Sequence, residues 1–301
     1  MEEYKHDFAM EKRLKELDPG LHKIFTDAVF ALQFNLSNYK LIFPQFTDHT
    51  MLHSMTVIDF CNKLIGDQLE KLNADEIYAL LMGCYFHDTG MGITRKDFDS
   101  FSTRIDFGDY FDTHSRDDMP RIIRDFHHEF SGQFIRKYSV LFEIPSEEHM
   151  QAIIQISRGH RKTDLFDENR YPADFKVPGG NTICLPYLSA LIRLADEIDV
   201  AASRNPILLY DIMSFTIEKE RFFSQMNMAV RSLDVGEKAF TLKLDDSEIT
   251  DVGSIPASEL RNGLIHMVGK MQETLDYCRK VVSQRTPFEI TQEKIIVLEE
   301  D

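Results

Sequence analysis

The stretch ALLMGCYFHDTGM, Ala79 to Met91, runs apolar and uncharged to Phe86 and then presents His87-Asp88, an imidazole beside a carboxylate. Upstream, Asn73 followed by Glu76 reads as a variant of the capping box, so the spacing predicts a helix over Ala74 to Phe86. The His-Asp pair then sits where the solvent-shy sequence stops. From a helix end, a ring nitrogen and the adjacent carboxylate can both reach one cation, and the carboxylate can bridge two. A single His-Asp pair is common by chance, so its meaning depends on the rest of the chain.

Working outward, helical patterns dominate the first two thirds. Asp18-Pro19-Gly20 opens a run with Leu21, Ile24, Phe25, Val29 and Leu32 at helical spacing. Further helices are expected over about Asp48 to Leu64, Pro120 to Tyr138, Ser146 to Arg158 and Leu185 to Ala201. Two polar stretches interrupt them. Gly92 to Met119 reads as a long loop suited to a lid over a site, and Lys162 to Asn181 as a second loop. After about Asn205, Met226 to Val235 and Ala239 to Leu244 alternate around Gly236-Glu237, which suggests a hairpin. A helix over about Ala257 to Val282 and a last strand over Phe288 to Leu298 complete a mainly α chain with a small α+β C-terminal appendage.

Composition narrows the function. With 34 basic and 50 acidic residues the net charge is −16, which argues against broad binding to duplex nucleic acid. A small anionic substrate remains compatible, because a metal cluster reverses the field within one pocket. The four cysteines, Cys61, Cys84, Cys184 and Cys278, form no CxxC pair and read as small buried residues of a reducing compartment. The first seventeen residues are rich in charge where a leader would be apolar, and no apolar run approaches a spanning length, so no membrane association and a cytoplasmic location are expected.

The remaining chemistry lies in TDHTMLHS (His53), RDFHHEFSG (His127), ISRGHR (His160) and LIRLADEID (Asp196), each on or beside a predicted helix. A bundle could bring one ligand from each helix to a common centre. Asp196 ends an apolar run, where an unpaired carboxylate would be costly to bury and a metal would remove the difficulty.

The order His53, His87-Asp88, Asp196 resembles the H…HD…D pattern of HD-superfamily phosphohydrolases, and the local strings look closest to the bacterial HD-CE type. The resemblance covers about residues 20 to 205. It implies an HD-type helical bundle over residues 20–205 as the phosphohydrolase domain, while charge and patterning, not the resemblance, set off residues 1–19 as a charged N-terminal segment and 206–301 as an α+β C-terminal subdomain. The resemblance also implies metal ligation by His53, His87, Asp88 and Asp196. His127 and His160 resemble the additional ligands of the binuclear branch, with Asp88 bridging. Aligning the glycine of that branch's HPEIG-like motif with Ser131 selects His127 over His128. The GYP element of HD-GYP phosphodiesterases is absent, and Arg158-Gly159-His160-Arg161 carries one histidine where those proteins have two. Both departures point away from cyclic-di-GMP hydrolysis and from a trinuclear centre.

The expected reaction is hydrolysis of a phosphoester or phosphoanhydride by metal-activated water, with Asp88 central and one or two divalent ions of iron, manganese, cobalt, nickel or zinc. His128 and His49 are the candidates to protonate the leaving group. Arg158, Arg161, Lys162 and Arg193 flank the ligands and are candidates to grip phosphate, with salt bridging on this acidic chain as the plainer role. The expected partner is a small phosphorylated substrate, a nucleotide above others; the sequence leaves room for a homo-oligomer. Two rivals stand beside this reading: a mononuclear dNTP triphosphohydrolase, and a catalytically silent nucleotide-sensing module that retains the site.

Overall fold

A computed structural model describes residues 8–43, 49–161, 163–201, 218–251 and 254–300. It is mainly helical, with one two-stranded and one three-stranded sheet. Helix α1 (Ala9–Leu17) leads into α2 (Pro19–Ser37), whose first turn is capped by the Asp18 carboxylate, and the short α3 (Tyr39–Ile42). Then come α4 (Met51–Ile65), α5 (Ala74–Phe86), α6 (Arg95–Ser102), α7 (Met119–Tyr138), α8 (Glu147–Gly159) and α9 (Leu185–Glu197). A two-residue ladder, β1 (Phe175–Lys176) with β2 (Thr182–Ile183), lies in the connection before α9.

Helix α5 is the axis. Every residue from Asp75 to Phe86 is buried, which a helix apolar all round requires. Helices α1, α2, α4, α8 and α9 pack around it. Its start is fixed by a full capping box between Asn73 and Glu76, and Glu76 also accepts from the Cys184 amide, tying α5 to the entrance of α9. The charged α1 docks through Met10 and Leu14, both wholly buried. The four cysteines are free and buried.

Beyond residue 217 the chain forms α10 (Glu218–Met228), β3 (Val230–Val235), β4 (Ala239–Asp245), α11 (Ala257–Arg285) and β5 (Lys294–Glu300). Strands β3 and β4 pair antiparallel, while β4 and β5 are parallel, the pairing that needs a crossover; α11 supplies it. The same helix packs along α9. The expected boundary at 205/206 lies outside the described residues.

Some element limits differ from the sequence reading. Residues 226–228 close α10 rather than open the hairpin. Residues 288–293 form no strand: Phe288 stacks on Tyr187, and the Gln68 carboxamide takes both the amide and the carbonyl of Glu289. Helix α9 ends at Glu197, not Ala201. The stretch 92–119 is no featureless loop. It contains α6, capped by Thr94, and its Phe98 stacks on Phe130 of α7. Phe107 packs on Phe126, and Tyr110 donates to Asp125 at 2.6 Å, so this segment is fastened to α7.

Candidate metal centre

Five helices each deliver one piece of a buried cluster. His53 lies on α4, His87 caps α5 with Asp88 next to it, His127 lies on α7, His160 caps α8 and Asp196 stands in the last turn of α9. The last carbonyls of a helix have no partner within it. His87 and His160 use this: Nδ1 of His87 donates to the Cys84 carbonyl at 2.7 Å, and Nδ1 of His160 to the Ser157 carbonyl. His127 repeats the pattern inside α7, donating from Nδ1 to the Arg124 carbonyl at 2.8 Å. Phe126 is non-helical there (φ −120°, ψ 15°), and the resulting kink opens the α7 ladder beside that contact. Nδ1 of His53 donates instead to the buried Asp199 carboxylate at 2.6 Å.

These contacts decide the tautomers. Carbonyl and carboxylate oxygens only accept, so all four rings carry their proton on Nδ1 and aim a bare Nε2 inward. The inward atoms meet in pairs: His53 Nε2 lies 3.1 Å from His87 Nε2, and His127 Nε2 lies 2.8 Å from His160 Nε2. Two lone pairs at such distances repel unless a cation lies between them. The histidine arrangement therefore fits a bound metal.

Asp88 joins the two pairs. Its Oδ2 is 3.4 Å from His53 Nε2 and 3.2 Å from His87 Nε2; its Oδ1 is 3.4 Å from His127 Nε2 and 4.0 Å from His160 Nε2. Asp196 Oδ1 adds to the first group, 3.2 Å from His53 Nε2 and 3.9 Å from His87 Nε2. Ligands about 2.1 Å from a common ion stand about 3.0 Å apart at a right angle and about 3.4 Å apart at a tetrahedral angle. The His53–His87–Asp196 and Asp88–His127–His160 sets can each hold an ion, as can the set His49, His53 and Asp88.

The electrostatics suit that use. Burial alone would push the Asp88 carboxyl up, but His87, His49 and His53 overcome it and hold the group ionised, well below the usual carboxylate range. Asp196 is lowered in the same way: burial opposes, and His53, His160 and His87 prevail. Burial drives His127 well down and His160 down to about 3, keeping both rings neutral, as ligands must be.

The other expected residues divide. His49 is brought in: it is partly exposed, with Nδ1 2.8 Å from Asp88 Oδ2. His128 lies beside the cluster, its Nδ1 buried without a hydrogen-bond partner among the described residues. Burial, then His127 and the nearby Arg161, Arg158 and Arg170, push its pKa down to about 2, so it is a neutral ring at neutral pH. Arg161 is exposed and its charge reaches His127, His128 and His160. Arg158 donates to Glu129 at 2.5 Å, the plainer salt-bridging role. Arg193 is turned to the scaffold: Nε donates to the Gly159 carbonyl and Nη2 to the Thr163 carbonyl, both at 2.7 Å, which fastens α9 to the end of α8 beside His160. Lys162 lies outside the described residues.

Three contributors escaped the sequence reading. Asp199, behind His53, stands three residues after Asp196, a spacing that places both on one side of a helix end. Ser131 donates to the His87 carbonyl at 2.6 Å and accepts from the Gly90 amide at 2.8 Å, stitching the His-Asp turn to α7. At Gly90 a side chain is excluded, because a Cβ would stand 2.2 Å from the His127 carbonyl oxygen. That close approach lets Asp88 and His127 meet.

The HD-CE family model matches residues 43–285. The chain belongs to the HD-CE family. No curated protein and no solved structure matches it. The HD-CE match runs from Phe43, just after α3, to the end of α11, so it takes in the β3–β4 hairpin and the crossover helix as well as the five helices that carry the cluster. No helix among the described residues is long and apolar enough to cross a membrane.

Proposed function

We propose that this HD-CE chain is a phosphohydrolase that cleaves a phosphoester or phosphoanhydride of a small, nucleotide-like substrate at two divalent transition-metal ions shared by Asp88. The observation that carries the reading is the paired Nε2 atoms, one pair facing each oxygen of a single buried carboxylate. His53, His87, Asp196 and Asp88 Oδ2 would hold one ion; His127, His160 and Asp88 Oδ1 the other. Imidazole with carboxylate suits iron, manganese, cobalt, nickel or zinc. A bound divalent ion supplies an acidified water and neutralises charge growing on phosphoryl oxygens.

The chain's own groups set position and move protons. Asp199 and the three helix carbonyls hold the imidazoles in one tautomer and one orientation. Partly exposed and in contact with Asp88, His49 is placed to hand a proton to the leaving oxygen. His128, neutral at neutral pH, serves better as a wall of the site. Arg161, exposed beside the cluster, would meet the non-reacting phosphate oxygens.

The test is phosphate release and phosphodiester cleavage by metal-loaded protein, screened over nucleotides, deoxynucleoside triphosphates and simple phosphodiesters with each divalent metal. Turnover that needs two ions per chain supports the proposal. Turnover of deoxynucleoside triphosphates with one ion would favour the mononuclear triphosphohydrolase. Tight, metal-dependent nucleotide binding with no turnover would favour a sensing module and overturn it.

A further inference from the structure

Strand β5 is an edge strand of apolar sequence. Its run Ile295-Ile296-Val297-Leu298 lies outermost in the sheet order β3-β4-β5. The β4–β5 register sets Val297 beside Leu242 on the sheet face that also carries Phe240. Leu242 is 0% exposed and Val297 is 38%, so the apolar face runs past the edge of its cover. On the opposite face Ile296 and Leu298 are exposed by 38% and 44%. Three consecutive large apolar residues thus meet solvent across both faces.

The backbone of this edge is open too. The Ile295 amide donates to the Gln272 side chain on α11, and not to β4. Backbone groups two apart on a strand point the same way, so the amides of Val297 and Glu299 face outward. Among the described residues nothing accepts from them. Edge strands are commonly guarded by proline, a bulge or inward-facing charge. β5 has a lysine at its first position, glutamates at its last two and no proline.

That charge order selects a partner. A strand basic at its start and acidic at its end complements a copy of itself only when the copy runs antiparallel. We propose that β5 is a homodimer interface, in which two copies pair antiparallel about a two-fold axis at Val297 and their sheets join into one. The Val297 amide of each copy donates to the Val297 carbonyl of the other, and each Glu299 amide to the other copy's Ile295 carbonyl. Gln272, already on the Ile295 amide, ends the ladder. The register sets Lys294 across from position 300 of the second copy and Ile296 across from Leu298, with identical patches on both sides as an isologous dimer requires.

The test is sedimentation equilibrium of the whole metal-loaded protein at physiological salt, where repulsion between chains of net charge −16 is screened beyond about 8 Å. The wild type is expected to pass reversibly from monomer to dimer with concentration. Val297→Lys, which sets two lysines together at the axis, is expected to raise the dissociation constant at least about tenfold. Val297→Pro should do the same, since the amide it removes is not used within the chain. Lys294→Glu, which removes the basic start of each strand, weakens the dimer. Melting midpoint and metal content serve as controls for folding. A wild type that stays monomeric, or a dimer indifferent to both Val297 variants and to Lys294→Glu, would overturn the proposal.

Discussion

On the Oδ2 side of Asp88 the candidate ligands His53, His87 and Asp196 come from α4, α5 and α9, and His53 is backed by a second buried carboxylate, Asp199. On the Oδ1 side His127 and His160 come from α7 and α8 and are backed only by carbonyls of their own helices, with Arg161 in electrostatic reach. The first side is rich in negative charge. The second offers two neutral imidazoles and a shared oxygen. In the proposed centre Asp88 would therefore join a strong position to a weaker one, and the weaker one lies in reach of the Arg161 charge. On the proposed two-ion reading, one ion would be held for structure and charge and the other would be open to exchange and to substrate.

The largest effect should come from Asp88→Ala, which removes the oxygens both sides share. Metal binding on both sides is lost, and hydrolysis falls by about a thousandfold or more, the scale of several kcal/mol of lost charge stabilisation. Elemental analysis and phosphate release on the purified variant check this, and undiminished turnover would break the comparison at its root.

Acid should separate the two sides next. Burial sets the folded pKa of His160 at about 3 and of His128 at about 2, below the unfolded value near 6.5. The unfolded chain thus takes up protons that the folded chain refuses, so stability is full above about pH 6.5 and falls as the pH drops toward the folded values. At pH 5 each ring costs about 2 kcal/mol. Asp88 and Asp196 have lowered folded values, and their contribution is lost only below the ordinary carboxylate range, so they do not offset this loss between pH 7 and 5. The melting midpoint of metal-free protein should drop across that interval; a flat profile would contradict the burial of the Oδ1 side.

Smaller changes sharpen the contrast. Asp199→Asn leaves the size unchanged but weakens the hold on His53, and metal affinity on the Oδ2 side should fall about 10- to 100-fold, read by metal titration. Arg161→Ala should leave metal content intact and raise KM about tenfold with little change in kcat, as loss of one charged hydrogen bond would.

Much of this centre was legible because its chemistry obeys local rules. Apolar helices that end on His or Asp show where ligands emerge, and the order of motifs shows which belong together. The α6 helix could also have been found, since Thr94 with Asp97 three residues on, and Phe98 with Phe101, mark a cap and an apolar face. What stayed hidden depends on distant contacts. The Ser131–Gly90 stitch spans 41 residues, and the bond from His53 to Asp199 spans 146. Arg193 sits in sequence like a substrate residue, yet its donors face α8 and the chain after it, a direction set by how α9 is rotated in the bundle.

The most direct test of a carboxylate shared by two ions is metal stoichiometry, measured by elemental analysis on purified wild type and on His127→Ala. Two ions per chain in the wild type and one in the variant are expected. One ion per chain in both proteins would contradict the bridge.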